Sequence, residues 1–288
     1  MSEDKILSIE EVKDDLQSLR KWISGEKYAP NKVDDKILYL IHHSCYYDLD
    51  KTKDTIKVYF SMRNKIPEFF ADRDVNRKNL QTALESVYVN TFPARDPHGY
   101  RILFHSLRLY EPSKYFFSDS VKLIYMTIDA CNHLDGALPG YIIMFDMVGV
   151  KLGHIARVNL LLLHKFFQYV QEGLPVRLKA IHIVNVIPVI DKIMLLIKPF
   201  MKKELYSMIH FHKTADNYDA LYEHLPRECL PSDFGGQLAS LNELQEQNIE
   251  RLRALVPFFK EDESMRLNKS KAMDEPPEPV TLDALELD

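Results

Sequence analysis

Histidines offer the first chemistry to weigh. His210 and His212 stand two apart in an apolar run, so on a strand they would share a face and could in principle ligate a metal. No Cys or Asp ligand pattern lies beside them, and a metal site is not expected. His42 and His43 are adjacent; such a pair could titrate near endosomal pH, but on a helix it is expected to be half exposed. Cys45, Cys131 and Cys229 are widely spaced, odd in number and in no CxxC pattern, which points to reduced thiols rather than a disulfide or zinc framework. No nucleophile elbow, P-loop or dinucleotide glycine fingerprint occurs. Gly136 and Gly140 are four apart but precede a strand, the wrong side for cradling phosphate. No Ser/His/Asp arrangement emerges. The chain reads as non-enzymatic and without a cofactor.

The elements that must position any site come next. Of 288 residues, 46% are hydrophobic and 27% charged, an ordinary globular balance with room for a large core. A net charge of -5 gives no positive field, so nucleic acid is not an expected partner. The opening MSEDKILSIEEVKDD has no apolar h-region, and no apolar run reaches the ~18 residues of a spanning helix. A cytoplasmic protein with peripheral membrane contact is expected.

Ile9, Val12, Leu16, Leu19 and Ile23 recur at helical spacing, and Gly25 and Pro30 end that helix. Two more helices follow, from Asp34 and from about Asp50 up to Pro67, so residues 1–75 form a small helical domain. Residues 76–240 then alternate. Strands are expected at Arg101–Leu109, Tyr141–Val148, Lys179–Ile187 and Met208–His212, with helices at Ser118–Leu134 and Gly153–Gln171. Near-continuous apolar strands joined through helices imply an α/β fold with a largely parallel sheet buried on both faces. Leu241–Phe259 marks one more amphipathic helix, placed at 241–260, and residues 261–288 form an acidic tail with Pro276, Pro277 and Pro279, expected to be disordered.

One stretch is more specific. Residues 140–236 carry GYIIMFDMVGVKLGH, LPVRLKAIHIVNVIPVI, KIMLLIKPFMKKELYSMIHFH and LPRECLPSDFGG. The Asp146/Gly149 turn, His154, the strand ending in Asn185, Lys198-Pro199-Phe200 and the Leu230–Gly236 close stand in order with correct gaps. Asp34-Asp35 and Tyr47-Asp48-Leu49-Asp50 add helix junctions in the N-terminal part. Together they resemble the CRAL-TRIO family, in the branch of the α-tocopherol transfer protein and the cellular retinaldehyde-binding protein, over roughly residues 10–260. The resemblance implies a helical N-terminal domain on a mixed sheet, with one sheet face and a mobile lid helix enclosing a small hydrophobic lipid.

Site residues follow from the same resemblance. The lid would be Pro188–Lys203, with Ile190, Ile193, Met194 and Ile197 as its inner stripe. Leu123 and Thr127, then Tyr141 and Phe145, then Phe166, Tyr169, Val170 and Leu174, and finally Ile181 and Ile183 would outline the cavity. Each buried CH₂ contributes about 0.8 kcal/mol, so a cargo with a dozen methylenes faces on the order of 10 kcal/mol against passage through water. A closing carrier removes that barrier without covalent chemistry.

Arg177 and Lys179 match the family's paired phosphoinositide-binding positions, and alternate residues of a strand point the same way, toward one phosphate. The sequence then departs from the family pattern. Two further basic positions are Glu204 and Met208, although Lys202 and Lys203 lie just ahead; the arginine-rich N-terminal segment reads Ile41-His42-His43-Ser44-Cys45; and Asn185-Val186-Ile187-Pro188 is one residue longer than the family's Asn-x-Pro. Attraction to anionic membrane remains, at ~1 kcal/mol per Lys or Arg near the surface. Two alternatives stay open: phosphatidylinositol/phosphatidylcholine exchange, kept alive by Thr127, Tyr141 and Tyr169, and a lipid-sensing adaptor that binds a protein partner through the acidic tail.

Overall fold

A computed structural model of the chain describes residues 5–30, 33–213 and 218–265. The N-terminal helices are α1 (Lys13–Ile23), α2 (Asp35–Ser44), α3 (Leu49–Lys65) and the single turn α4 (Pro67–Phe70). Asp34 caps α2 by accepting from the Lys36 amide at 3.0 Å, and Asp48 caps α3 through the Asp50 and Lys51 amides. α1 buries Leu16, Leu19 and Ile23, whereas Ile9, expected in that helix, precedes it and is exposed.

α5 (Lys78–Ser86) leads directly into β1 (Val87–Arg95), an edge strand that the hydrophobic pattern did not reveal. Asn90 and Pro93 interrupt its apolar alternation, and Pro is tolerated at a sheet edge. β2 (Arg101–Leu107), β3 (Tyr141–Asp146), β4 (Leu178–Val184) and β5 (Ile209–Phe211) complete a five-stranded sheet in the order β1-β2-β3-β4-β5. β1 and β2 are antiparallel and every other pair is parallel. The crossovers are α6 (Phe117–Asp135), the short α7 (Leu152–Ile155) with α8 (Leu160–Glu172), and α9 (Ile190–Ile197) with α10 (Lys203–Ser207). The single helix expected over Gly153–Gln171 is split because the Asn159 side chain accepts from the Leu161 and Leu162 amides and starts a new helix there.

Each sheet face has its own apolar cover. The back face, through Phe104, Ile142, Met144 and Val184, packs on Leu221, Leu225, Leu230, Phe234 and Leu244 from the C-terminal part, which includes α11 (Asp219–Tyr222). α12 (Leu241–Ala254) also closes the open edge: Gln245 Oε1 accepts from the Val89 amide at 3.0 Å, and Asn248 Nδ2 donates to the Val89 carbonyl at 2.6 Å. α12 ends at Ala254 and α13 (Val256–Ser264) starts afresh with Pro257 in its first turn, where no amide is available to continue the α12 ladder, so the one C-terminal helix expected at 241–260 is two. Glu261–Ser264, assigned to the tail, end α13; the acidic stretch from Asp274 lies outside the described residues.

His42 and His43, expected half exposed, are buried. His42 sits between Thr52 Oγ1 at 2.8 Å and Asp15 Oδ2 at 3.2 Å; His43 Nε2 donates to the Leu138 carbonyl at 2.8 Å, joining α2 to the loop before β3. Burial first, and the Arg177 charge after it, hold His43 down to about 4. In the unfolded chain a histidine titrates near 6.5, so between those values the unfolded state binds the extra proton. Stability contributed by neutral His43 is therefore full above pH ~6.5 and lost as the pH falls toward 4, at up to ~1.4 kcal/mol per pH unit. Urea midpoints measured from pH 7.5 to 4.5 are expected to fall in that window, and to fall less in His43→Gln.

Candidate functional site

The site is built from the front face of β3 and β4 and the layer over it. Met147, Leu163, Phe167, Ile181, Ile183, Ile190 and Leu205 form one buried apolar cluster, bordered by Phe145, Phe166, Val170, Ile193, Met194 and Ile197. Strand alternation puts Ile181 and Ile183 on this face, and helical spacing turns the inner stripe of α9 down onto it. Ile190 is buried, but Ile193, Met194 and Ile197 are only half-buried. An ordinary core helix would have sealed them. The turn at the far end of α9, Lys198–Phe200, and the residues after it are tied to α8 by Gln171: its Nε2 donates to the Phe200 carbonyl at 3.0 Å, and its Oε1 accepts from the Lys202 amide at 2.6 Å. At the near end, Asn185 adopts a left-handed φ of 53° and donates to Asp146 Oδ1 at 2.9 Å, which also accepts from the Val148 amide. Burial raises the Asp146 carboxyl above its usual range. Gly149, with φ 78°, lets the turn pass Tyr110, where a Cβ would lie 2.1 Å from the ring.

Nine of the fourteen expected lining residues meet at this cluster: Phe145, Phe166, Val170, Ile181, Ile183, Ile190, Ile193, Met194 and Ile197. The other five pack elsewhere. Leu123 and Leu174 belong to the core shared with the N-terminal helices. Thr127 Oγ1 accepts from Asn248 Nδ2 at 3.2 Å, Tyr141 OH donates to Asn132 Oδ1 at 3.0 Å, and Tyr169 OH accepts from Arg63 Nε at 2.9 Å. Met147, Leu163, Phe167 and Leu205 were missed; the helical spacing of Leu163 and Phe167 was the available signal. An opening of about 310 Å³ lies beside the cluster between the starts of α6 and α8, lined by Phe116, Phe117, Arg157, Asn159 and Leu162. A second cleft of about 110 Å³, lined by Ile37, Tyr59, Phe60 and Phe258, shares no residue with the cluster.

The basic residues divide. Arg177 is 2% exposed; its Nε donates to the His43 carbonyl at 2.8 Å, and its guanidinium lies 4.3 Å from the Tyr46 ring centre. Lys179 Nζ donates to Tyr46 OH at 3.1 Å. Both flank one tyrosine, as alternate strand residues should, but Arg177 is committed to the N-terminal helices rather than offered to a phosphate. Lys202 pairs with Glu172 at 2.7 Å, and Lys203 is exposed.

A mixed sheet covered on its front by an apolar helix, with a helical domain ahead of it, defines an α/β protein with an apolar site under that helix. The chain belongs to the CRAL/TRIO domain family, a family of lipid-binding and transfer proteins: that family's sequence profile matches residues 85–236, and a profile described as "Pinta-like, UBA domain" matches residues 8–80. The mouse alpha-tocopherol transfer protein-like protein (Mus musculus) is 27% identical over 230 residues, which span 79% of this chain and 66% of that protein. Clavesin-1 of Xenopus laevis is 24% identical over 181 residues, 62% of this chain and 54% of its own length. The crystal structure of Sfh5 superposes with a TM-score of 0.55 at 16% identity, covering 90% of this chain and 100% of that one, so the two share a fold. No helix among the described residues is long and apolar enough to cross a membrane.

Proposed function

We propose that this chain carries a small hydrophobic lipid of the tocopherol, retinoid, carotenoid or other isoprenoid kind between the front face of β3–β4 and α9, and delivers it at anionic membranes. The observation that carries the reading is the half-buried inner stripe of α9 over a wholly apolar floor. Thr127, Tyr141 and Tyr169, the polar groups that phospholipid exchange would need, have their hydroxyls occupied by Asn248, Asn132 and Arg63. The opening beside Arg157 and Leu162 is the natural mouth. Native mass spectrometry with extraction of the bound molecule tests the assignment: one isoprenoid per chain supports it, and a phospholipid or an empty protein after incubation with mixed lipids overturns it.

Docking falls to exposed apolar side chains around the lid. Leu195 on the outer face of α9 is 79% exposed, and Leu160 and Leu161 open α8 at 52% and 64%. Lys192, Lys198 and Lys203 are exposed on and after α9 and supply charge for an anionic surface. Leucine burial is worth about 1.5–3 kcal/mol. Leu161→Glu/Leu195→Glu is therefore expected to slow delivery to phosphatidylserine vesicles on the order of tenfold, leaving cargo retention in solution unchanged. Unaltered delivery, followed by fluorescence transfer, would place docking elsewhere.

A further inference from the structure

The back of the sheet holds a group of side chains that cargo binding leaves unused. β4 and β5 pair with His182 opposite His210, and their rings lie 5.1 Å apart, centre to centre. His212 is two residues further along, 5.1 Å from His182; His224, after α11, lies 5.2 Å from His182 and 4.9 Å from His210. His182 Nδ1 and His212 Nε2 stand 2.8 Å apart, so one donates and the other accepts. That bond tolerates one shared proton and fails when both rings are charged. His182 and His212 are buried, His210 is half-buried and His224 is exposed, which gives protons a way in.

The surroundings offer the rings no counter-charge among the described residues. On the same face stand Ala180 and Val184 of β4 and Ile142 and Met144 of β3. Asp146 is engaged by Asn185 and the Val148 amide, Tyr218 OH donates to Asn185 Oδ1, and Tyr222 OH donates to the Phe234 carbonyl. Lys213, Asp219, Glu223 and Arg227 are exposed and pair with none of the four rings. Desolvation, and then the neighbouring imidazoles, push His182 down to about 3 and His212 to about 4.

Position gives the cluster leverage. β5 has three residues and pairs with β4 alone, and residues 188–203, the expected lid, lie in the chain that connects those two strands. The ladder with β4 spans only three residue pairs, and backbone bonds flank it from Ile181 N to the Met208 carbonyl at 2.8 Å, from His212 N to the Ile183 carbonyl at 2.8 Å and from Val186 N to the His212 carbonyl at 3.2 Å. We propose that His182, His210, His212 and His224 form an acid-operated latch: charging more than one imidazole drives β5 from β4, frees the C-terminal anchor of the lid and discharges cargo at an acidic membrane surface. The discharge step rests on the carrier function proposed above; the opening of β5 does not.

Hydrogen exchange of the full chain at pH 7.4 and 5.2, corrected for intrinsic rates, reads β5 directly. Transfer of a fluorescent tocopherol to phosphatidylcholine vesicles reads the cargo. Protection over 208–212 is expected to fall about tenfold or more at pH 5.2, the factor that one pKa unit represents. In His182→Gln/His212→Gln the loss should vanish; should that variant not fold, His210→Gln/His224→Gln should at least halve the logarithmic change. Unchanged wild-type protection, an equal loss in the glutamine variants, or a loss at pH 7.4 on adding EDTA overturns the latch. Acid opening of β5 in a protein that holds neither a tocopherol, a retinoid nor a carotenoid probe at either pH supports the latch and overturns the carrier function instead.

Discussion

Asp129→Ala is expected to lower the folding stability of this chain by about 3–5 kcal/mol, the usual cost of removing one partner from a buried ion pair. Asp129, on α6, accepts from Arg63 Nη2 at 2.6 Å and from Arg73 Nη1 at 2.9 Å. Both arginine side chains are almost fully enclosed, and Asp262 on α13 binds the same two guanidinium groups. Arg73 Nε also donates to Glu263 at 3.2 Å, while Arg63 lies 4.3 Å from the Tyr59 ring centre and donates to Tyr169 OH. The network ties α3, the segment after α4, α6 and α13 together. With Asp129 gone, two buried cations are left with only Asp262 and the more exposed Glu263, which reaches Arg73 alone. A melting-temperature drop of roughly 10 °C should accompany the change. Asp35→Ala, which breaks an exposed pair with Arg20, should cost under about 1 kcal/mol when urea titrations of the two variants are compared. A comparable effect from both substitutions would mean that the buried arginines find solvent, and that the network does not hold the helical domain to the sheet.

This network shows what a linear reading misses. Arg63 and Asp129 are 66 residues apart and Arg73 and Asp262 are 189 apart, so no spacing rule could pair them. Elements with a strong local signature were legible. The apolar runs at Tyr141 and Lys179 became β3 and β4 because parallel strands bury both faces, and Asp34 and Asp48 announced their helices because capping is local chemistry. β1 was not legible: its exposed edge is satisfied by Gln245 and Asn248, side chains more than 150 residues away.

The candidate site divides along the same line. Ile193, Met194 and Ile197, read from helical spacing, and Ile181 and Ile183, placed by family resemblance, lie together in one apolar cluster because strand and helix periods fix their faces. Thr127, Tyr141 and Tyr169 were placed with them on family resemblance, yet their hydroxyls are held by Asn248, Asn132 and Arg63, partners supplied by tertiary packing. The surroundings of Arg177 were illegible for the same reason, since nothing near it in sequence reveals that the His43 carbonyl and the Tyr46 ring lie against it.

Met194→Glu should be the most damaging single change for cargo that leaves the fold intact. Glutamate matches methionine in helix propensity, so α9 keeps its shape. At a half-buried position in the empty protein the carboxylate can reach water, and stability should hold within about 1 kcal/mol. Closing α9 over an apolar ligand removes that water and leaves the charge against Ile181, Ile183 and Phe167 with nothing to pair it. A penalty of about 3 kcal/mol corresponds to on the order of a hundredfold weaker binding. Fluorescence titration with a tocopherol probe, beside a melting curve of the same preparation, separates lost binding from lost fold. Leu195→Glu, one residue on and facing out, is the matched control and should retain full affinity. If both variants bind within about threefold of the wild-type chain, a difference under 1 kcal/mol, the inner stripe of α9 does not touch the cargo and the proposed closure over it fails.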